Sequence, residues 1–170
     1  MRRIVPVIII SFCFLFTSIV SAQEYVGADK CKMCHQTEKS GKQYPLWKER
    51  KHSTSFQALS MEQAKEFSPD MPAVENPKCL TCHTPLADKA PELKEEGVTC
   101  EVCHGPGSDY KKLSIMKDHA EAVKNGLTEY ASVDDIKAKC LSCHENAHNY
   151  TFDFETAWEI VKHPVPVDKE

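Results

Sequence analysis

The sequence predicts a mainly α-helical chain with long loops, wrapped around a cluster of bound groups rather than around its own apolar side chains. Three observations predict it. The apolar segments beyond the N-terminus are short and separated by proline-rich stretches. A chain of 170 residues with 8% aromatics buries a marginal apolar area by itself. Four Cys-x-x-Cys-His segments divide the chain, and each is a place to fix something large.

Taken from the start, Arg2 and Arg3 form a positive n-region, and Ile4 to Val20 is apolar apart from Pro6, Ser11, Thr17 and Ser18. Val20-Ser21-Ala22 then supplies a small-residue cleavage pattern. This reads as a secretory signal peptide over 1–22, leaving one domain over 23–170 and no membrane span after cleavage. The alternative is an uncleaved anchor, but the run is slightly short for a span and a good cleavage site follows it. Cys13 leaves with the signal, because Phe12 before it does not fit a lipoprotein site. Losing the two leader arginines takes the formal net charge from −4 to −6. That sign argues against nucleic acid and favours a redox partner with a basic patch, steered to the chain by charge.

The remaining cysteines fall in four pairs: Cys31-Lys32-Met33-Cys34-His35, Cys79-Leu80-Thr81-Cys82-His83, Cys100-Glu101-Val102-Cys103-His104 and Cys140-Leu141-Ser142-Cys143-His144. Each has the c-type haem attachment pattern. Two thiols three residues apart on one helical turn add to the two vinyl groups of one haem, and the next residue aims an imidazole at the iron. A disulfide scaffold leaves the trailing histidines unexplained. Zinc ribbons do not need four such histidines, and a redox dithiol needs one motif, not four. The expected cofactors are four haem c groups, and these complete the fold: a small multihaem cytochrome c fold around a four-haem cluster, largely unfolded without haem.

Eight histidines occur, all beyond the leader. His35, His83, His104 and His144 are the proximal ligands. His52, His119, His148 and His163 are the spares, enough for a second imidazole on every iron. Two imidazoles saturate an iron, exclude substrate and keep its geometry nearly unchanged between oxidation states. Met61, Met71 and Met116 are the alternative axial donors, which raise the potential, but the histidine count makes them unnecessary.

The motifs begin at 31, 79, 100 and 140, so no fixed-period repeat organises them. Between them, Pro45 to Leu59 reads as one helix, with Pro45 in its first turn and Leu46, Trp47, His52, Phe56 and Leu59 along one side. Glu62 to Phe67 is a short helix. Residues 68–78 and 84–91 are irregular loops set by their prolines. Gly105-Pro106-Gly107 turns the chain after the third motif. Tyr110 to Lys124 reads as a helix carrying His119. Ser132 with Asp135 resembles a capping box opening a helix into Cys140. Phe154 to Lys162 is a last helix, stopped by Pro164 and Pro166.

Three stretches carry a family resemblance. The first is Cys31 to His35 followed by Trp47 and His52. The second is Gly97-Val98-Thr99-Cys100-Glu101-Val102-Cys103-His104-Gly105-Pro106-Gly107 with His119 downstream. The third is Tyr150-Thr151-Phe152-Asp153-Phe154 through Ile160 to His163. Over most of residues 25–165 the chain resembles the tetrahaem cytochrome c-554 family, named for a nitrifier protein that accepts electrons from hydroxylamine oxidoreductase. The resemblance implies that His52, His119 and His163 are distal ligands: His119 on the first haem, His52 and His163 on the third and fourth in an order left open. It implies a second haem without a distal protein ligand. Two departures stand out. The third motif is further from His119 than in the family pattern, and His148 has no family counterpart. His148 either caps the second haem or is a surface residue; it lies one helical turn from His144, so those two cannot easily grip opposite faces of one iron.

These readings predict a periplasmic electron carrier, not an enzyme. The alternative is a haem enzyme reducing nitric oxide, nitrite or a peroxide at an open second haem, with Asp88, Lys89, Glu92 and Lys94 as nearby charged groups. A haem-wire subunit of a larger membrane or extracellular complex is a third possibility, in which the chain associates with a membrane assembly.

Overall fold

The computed structural model describes residues 22–145 and 147–164. Residues 1–21, which carry most of the expected signal peptide, and the tail from 165 lie outside them. Among the described residues there is no strand, and ten short α-helices alternate with turns and loops. The expected mainly α architecture with long loops is what the chain adopts.

The four motifs lie on α1 (Ala28–His35), α5 (Pro77–His83), α6 (Cys100–His104) and α9 (Val133–His144). Helix α5 begins where proline allows it: Pro77 needs no N–H in the first turn, and the Asn76 side chain accepts from Lys78 N–H at 3.0 Å. Helix α9 begins as its sequence predicts, with the Ser132 hydroxyl accepting from Asp135 N–H at 3.2 Å. Helix α10 (Phe154–Val161) is capped by Asp153, which accepts from Thr156 N–H at 2.7 Å.

Two expected helices are broken, each for a local reason. Pro45 to Leu59 is not one helix but α2 (Gln43–Lys48), a 3₁₀ turn at Lys51–Thr54 and α3 (Ser55–Ala58). The break falls at Arg50, which is extended (φ −102°, ψ 161°) while its guanidinium donates to the carbonyls of Val161 and Lys162. Tyr110 to Lys124 is likewise divided into α7 (Leu113–Met116) and α8 (His119–Lys124). Asp118 is extended and its carboxylate accepts from Glu121 N–H at 3.1 Å, so it starts a helix in mid-segment. The remaining short helix is α4 (Ala64–Phe67), two residues later than its expected start. Pro91–Glu96 forms a 3₁₀ turn within the prolines' territory.

The apolar core is thin. Among the described residues its buried members are Ala28, Leu59, Ala73, Leu86, Ala90, Tyr110, Ala122 and Phe154, half of them alanine. The largest fully buried side chains are polar: Glu101, Thr84 and Thr99. Such an interior is held by hydrogen bonds to backbone and leaves large apolar groups to be supplied from elsewhere.

Candidate haem centre

In all four motifs the histidine is the last helical residue and the two cysteines lie in the final turn. Residues three and four apart share a face of a helix, so each helix presents two thiols and one imidazole on one side. The eight cysteines are unbridged.

Two of the motif histidines have partners that fix one ring nitrogen. His83 Nδ1 lies 2.8 Å from the Ser55 carbonyl, and His35 Nδ1 lies 3.3 Å from Gln43 Oε1. An Nδ1–H donated to such acceptors leaves Nε2 as the free lone pair. Burial pushes the imidazolium form of His104 down to about 4, helped by the proximity of His163 and His35. Burial also lowers His52, His144 and His163. These rings are therefore neutral near pH 7, the form that ligates metal.

Three ring pairs bring a motif histidine against a spare one. His144 and His52 have ring centres 6.1 Å apart, His104 and His163 5.9 Å, and His83 and His148 6.0 Å. Two imidazoles ligating one metal ion from opposite sides sit with centres about 6 Å apart, given metal–nitrogen bonds of about 2 Å. His163 Nδ1 is buried and has no hydrogen-bond partner. His119 is placed differently. It opens α8 with 68% of its side chain exposed, and its Nε2 meets Glu129 Oε1 at 3.0 Å. Met61 and Met71 are exposed side chains.

The motifs also meet one another. The Cys31 and Cys100 thiols are neighbours: Cys31 and burial hold Cys100 far above the usual thiol range, while Cys100 lowers Cys31 against the opposing effect of burial. Burial and the neighbouring Cys143 push Cys82 up to about 11. Cys103 in turn feels Cys140 and Cys143. These contacts link the motifs in the order first, third, fourth, second. Two open clefts border this line. One of about 410 Å³ is lined by His144, Leu141 and Phe152, and one of about 380 Å³ by Cys103, Val102 and Tyr130. Among the described residues, no cluster of three or more His, Cys, Asp or Glu side chains has the geometry to hold a metal ion by itself. Paired imidazoles beside paired thiols instead fit a metal that brings its own equatorial ring.

Several positioning residues are invisible in the sequence. Ser55 shares its hydroxyl between the carbonyls of His83 (2.7 Å) and His52 (2.8 Å) and accepts from Val98 N–H at 3.0 Å. It thus joins α5, the His52 turn and the approach to the third motif. Gly97 (φ +67°) permits this, since a Cβ there falls 2.4 Å from Ser55 Oγ. Arg50 links the His52 segment to the one bearing His163. Glu101, inside the third motif, accepts from the N–H groups of Val26, Gly27 (2.8 Å) and Gly107 (2.6 Å). Glu96 accepts from Ala28 N–H at 2.9 Å, so two carboxylates cap the start of α1.

Residues 30–105 match the family model described as cytochrome c554 and c-prime. Over that stretch the chain is similar to the cytochrome c-554 family. That match starts one residue before Cys31 and ends one residue after His104, spanning the first three motifs. The chain is also similar to cytochrome c-554 of Nitrosomonas europaea, at 23% identity over 148 residues, covering 76% of this chain and 61% of that protein. No solved structure matches the chain. Haem c fits the motif residues: the cysteines would hold it as thioethers and the histidines would donate to its iron. When bound it would supply a reversible one-electron couple. The chain's part would be to hold it covalently, fix the donor tautomers and cover the metal. Of the charged groups near the second motif, Lys94 Nζ donates to the Val74 carbonyl at 2.8 Å and lies over Phe56, and Lys89 lies over Tyr25.

Proposed function

We propose that this chain is an exported electron carrier holding four haem c groups, one on each Cys-x-x-Cys-His helix end, and that it turns over no substrate. The observation that carries this reading is the recurrence of one arrangement. A motif histidine faces a spare histidine at 5.9 to 6.1 Å in three places. On this reading His52 completes the fourth centre with His144, and His163 completes the third with His104. Saturated centres exchange electrons without binding a small molecule, and the linked motifs give a continuous route between them. Periplasmic placement rests on the leader pattern of residues 1–22. No helix among the described residues is long and apolar enough to cross a membrane. The redox partners are proteins that meet the acidic surface through basic patches.

Intact mass and a pyridine haemochrome assay of the exported protein test this reading. The expected result is four haem c per chain and a mass lacking residues 1–22. Fewer than four covalently bound haems, or steady turnover of nitrite, nitric oxide or peroxide, overturns it.

A further inference from the structure

We infer that His148 is the distal ligand of the second centre, opposite His83, so that the haem on Cys79 and Cys82 is closed to external ligands. The inference rests on the haem-carrying reading and departs from the family resemblance, which implies a second haem without a distal protein ligand.

Four observations meet here. The His148 and His83 ring centres are 6.0 Å apart, the separation found for His52 with His144 and His163 with His104. His83 Nδ1 is 2.8 Å from the Ser55 carbonyl, which directs its Nε2 to the other side. The His148 ring meets Phe67 edge to face at 4.3 Å, a contact that orients it. The backbone at His148 is left-handed (φ 54°, ψ 32°), and Asn149 after it is too (φ 58°). Such a conformation is unfavourable for a residue with a Cβ, and it persists where something fixes the side chain.

Sequence distance from His144 is no obstacle. Helix α9 ends at His144, and Glu145 is already extended (ψ 115°), so the two histidines are not on one helical face. His144 faces His52 while His148 faces His83. One short segment thereby supplies the proximal ligand of the fourth centre and the distal ligand of the second. The proximity of Cys82 to Cys143 makes that reach possible.

The ring planes of His83 and His148 are 70° apart, against 40° for each of the other two pairs. Axial imidazoles with near-perpendicular planes give a low-spin ferric iron a highly anisotropic EPR signal at large g. The test is ferric EPR and carbon monoxide titration of the haem-loaded protein and its His148→Ala variant, each first counted for haem. In the variant the large-g low-spin signal is lost, one additional high-spin haem per chain appears, one further carbon monoxide binds on reduction, and added imidazole reverses these changes. The His148→Met variant keeps a donor, so it stays low-spin while one of its haems rises in potential. A haem count of four with His148→Ala spectra and carbon monoxide stoichiometry equal to wild type overturns this inference alone. A haem count below four in the wild type overturns the carrier reading with it. Should the alanine variant fail to fold, an unchanged set of potentials in His148→Met overturns the inference equally.

Discussion

Glu101 occupies a position that attachment chemistry leaves free, yet it is 2% exposed and accepts three backbone N–H groups. Gly107 can approach it because it has no side chain: a Cβ there falls 3.0 Å from Glu101 Oε1. Replacing it by alanine strands those donors away from water. Glu101→Ala is expected to cost about 3 kcal/mol, read as a lower urea midpoint of the haem-loaded protein. Glu101→Gln retains one accepting oxygen and is expected to cost about half as much. An equal midpoint in wild type and alanine variant contradicts this role. Nothing in the sequence marks the residue, because its partners lie about seventy positions earlier or beyond the next turn. The four Cys-x-x-Cys-His motifs, by contrast, are legible as a pattern, since their spacing is that of one helical turn, and each closes a helix.

Helix ends are the most readable elements here. Ser132 and Asp153 sit where their side chains cap the next turn, and both helices start there. The division at Asp118 follows the same spacing to Glu121 inside a segment whose apolar pattern runs on, so a local cap overrides the periodicity. The break at Arg50 was not legible, because its acceptors lie 111 and 112 residues away. The cap at Asp153 carries a pH signature. Accepting from Thr156 holds its carboxyl below the ordinary 3.8. A lowered pKa stabilises the fold above the ordinary value and loses that contribution as pH falls through the folded one. Asp153→Ala is therefore expected to lower the thermal midpoint slightly at pH 7, with the gap to wild type closing below pH 3.8. A gap that is unchanged or wider in acid refutes the assignment.

The molecule as a whole has few means of holding itself together. Among the described residues, four of the eight buried apolar ones are alanines, and the α-helices run to 4 to 12 residues, marginal in isolation. A chain produced without haem attachment is expected to show far-ultraviolet circular dichroism close to coil and no cooperative melting; a native-like apo spectrum contradicts the thin-core account. Fold class was legible for this reason: short segments and missing core volume are properties of composition. The pairing of spare with motif histidines was not, since it depends on how separate loops converge. Net charge acts at this scale as well. The rate of electron transfer to a basic partner is expected to fall steeply with added salt in stopped-flow measurements, and a flat dependence removes charge steering from the account.

The attachment of residues 26–27 to Glu101 also orders events in time. Helix α1 hangs at its start from Glu96 and Glu101, side chains made some seventy residues after it. On the exported-carrier reading proposed above, the first motif would emerge with nothing to dock against until the third had followed. For that interval Cys31 and Cys34 would lie on a free tether, open to whatever enzyme installs the haem. The earliest attachment site would thereby stay accessible longest and be seated when the stretch ending at Gly107 arrives.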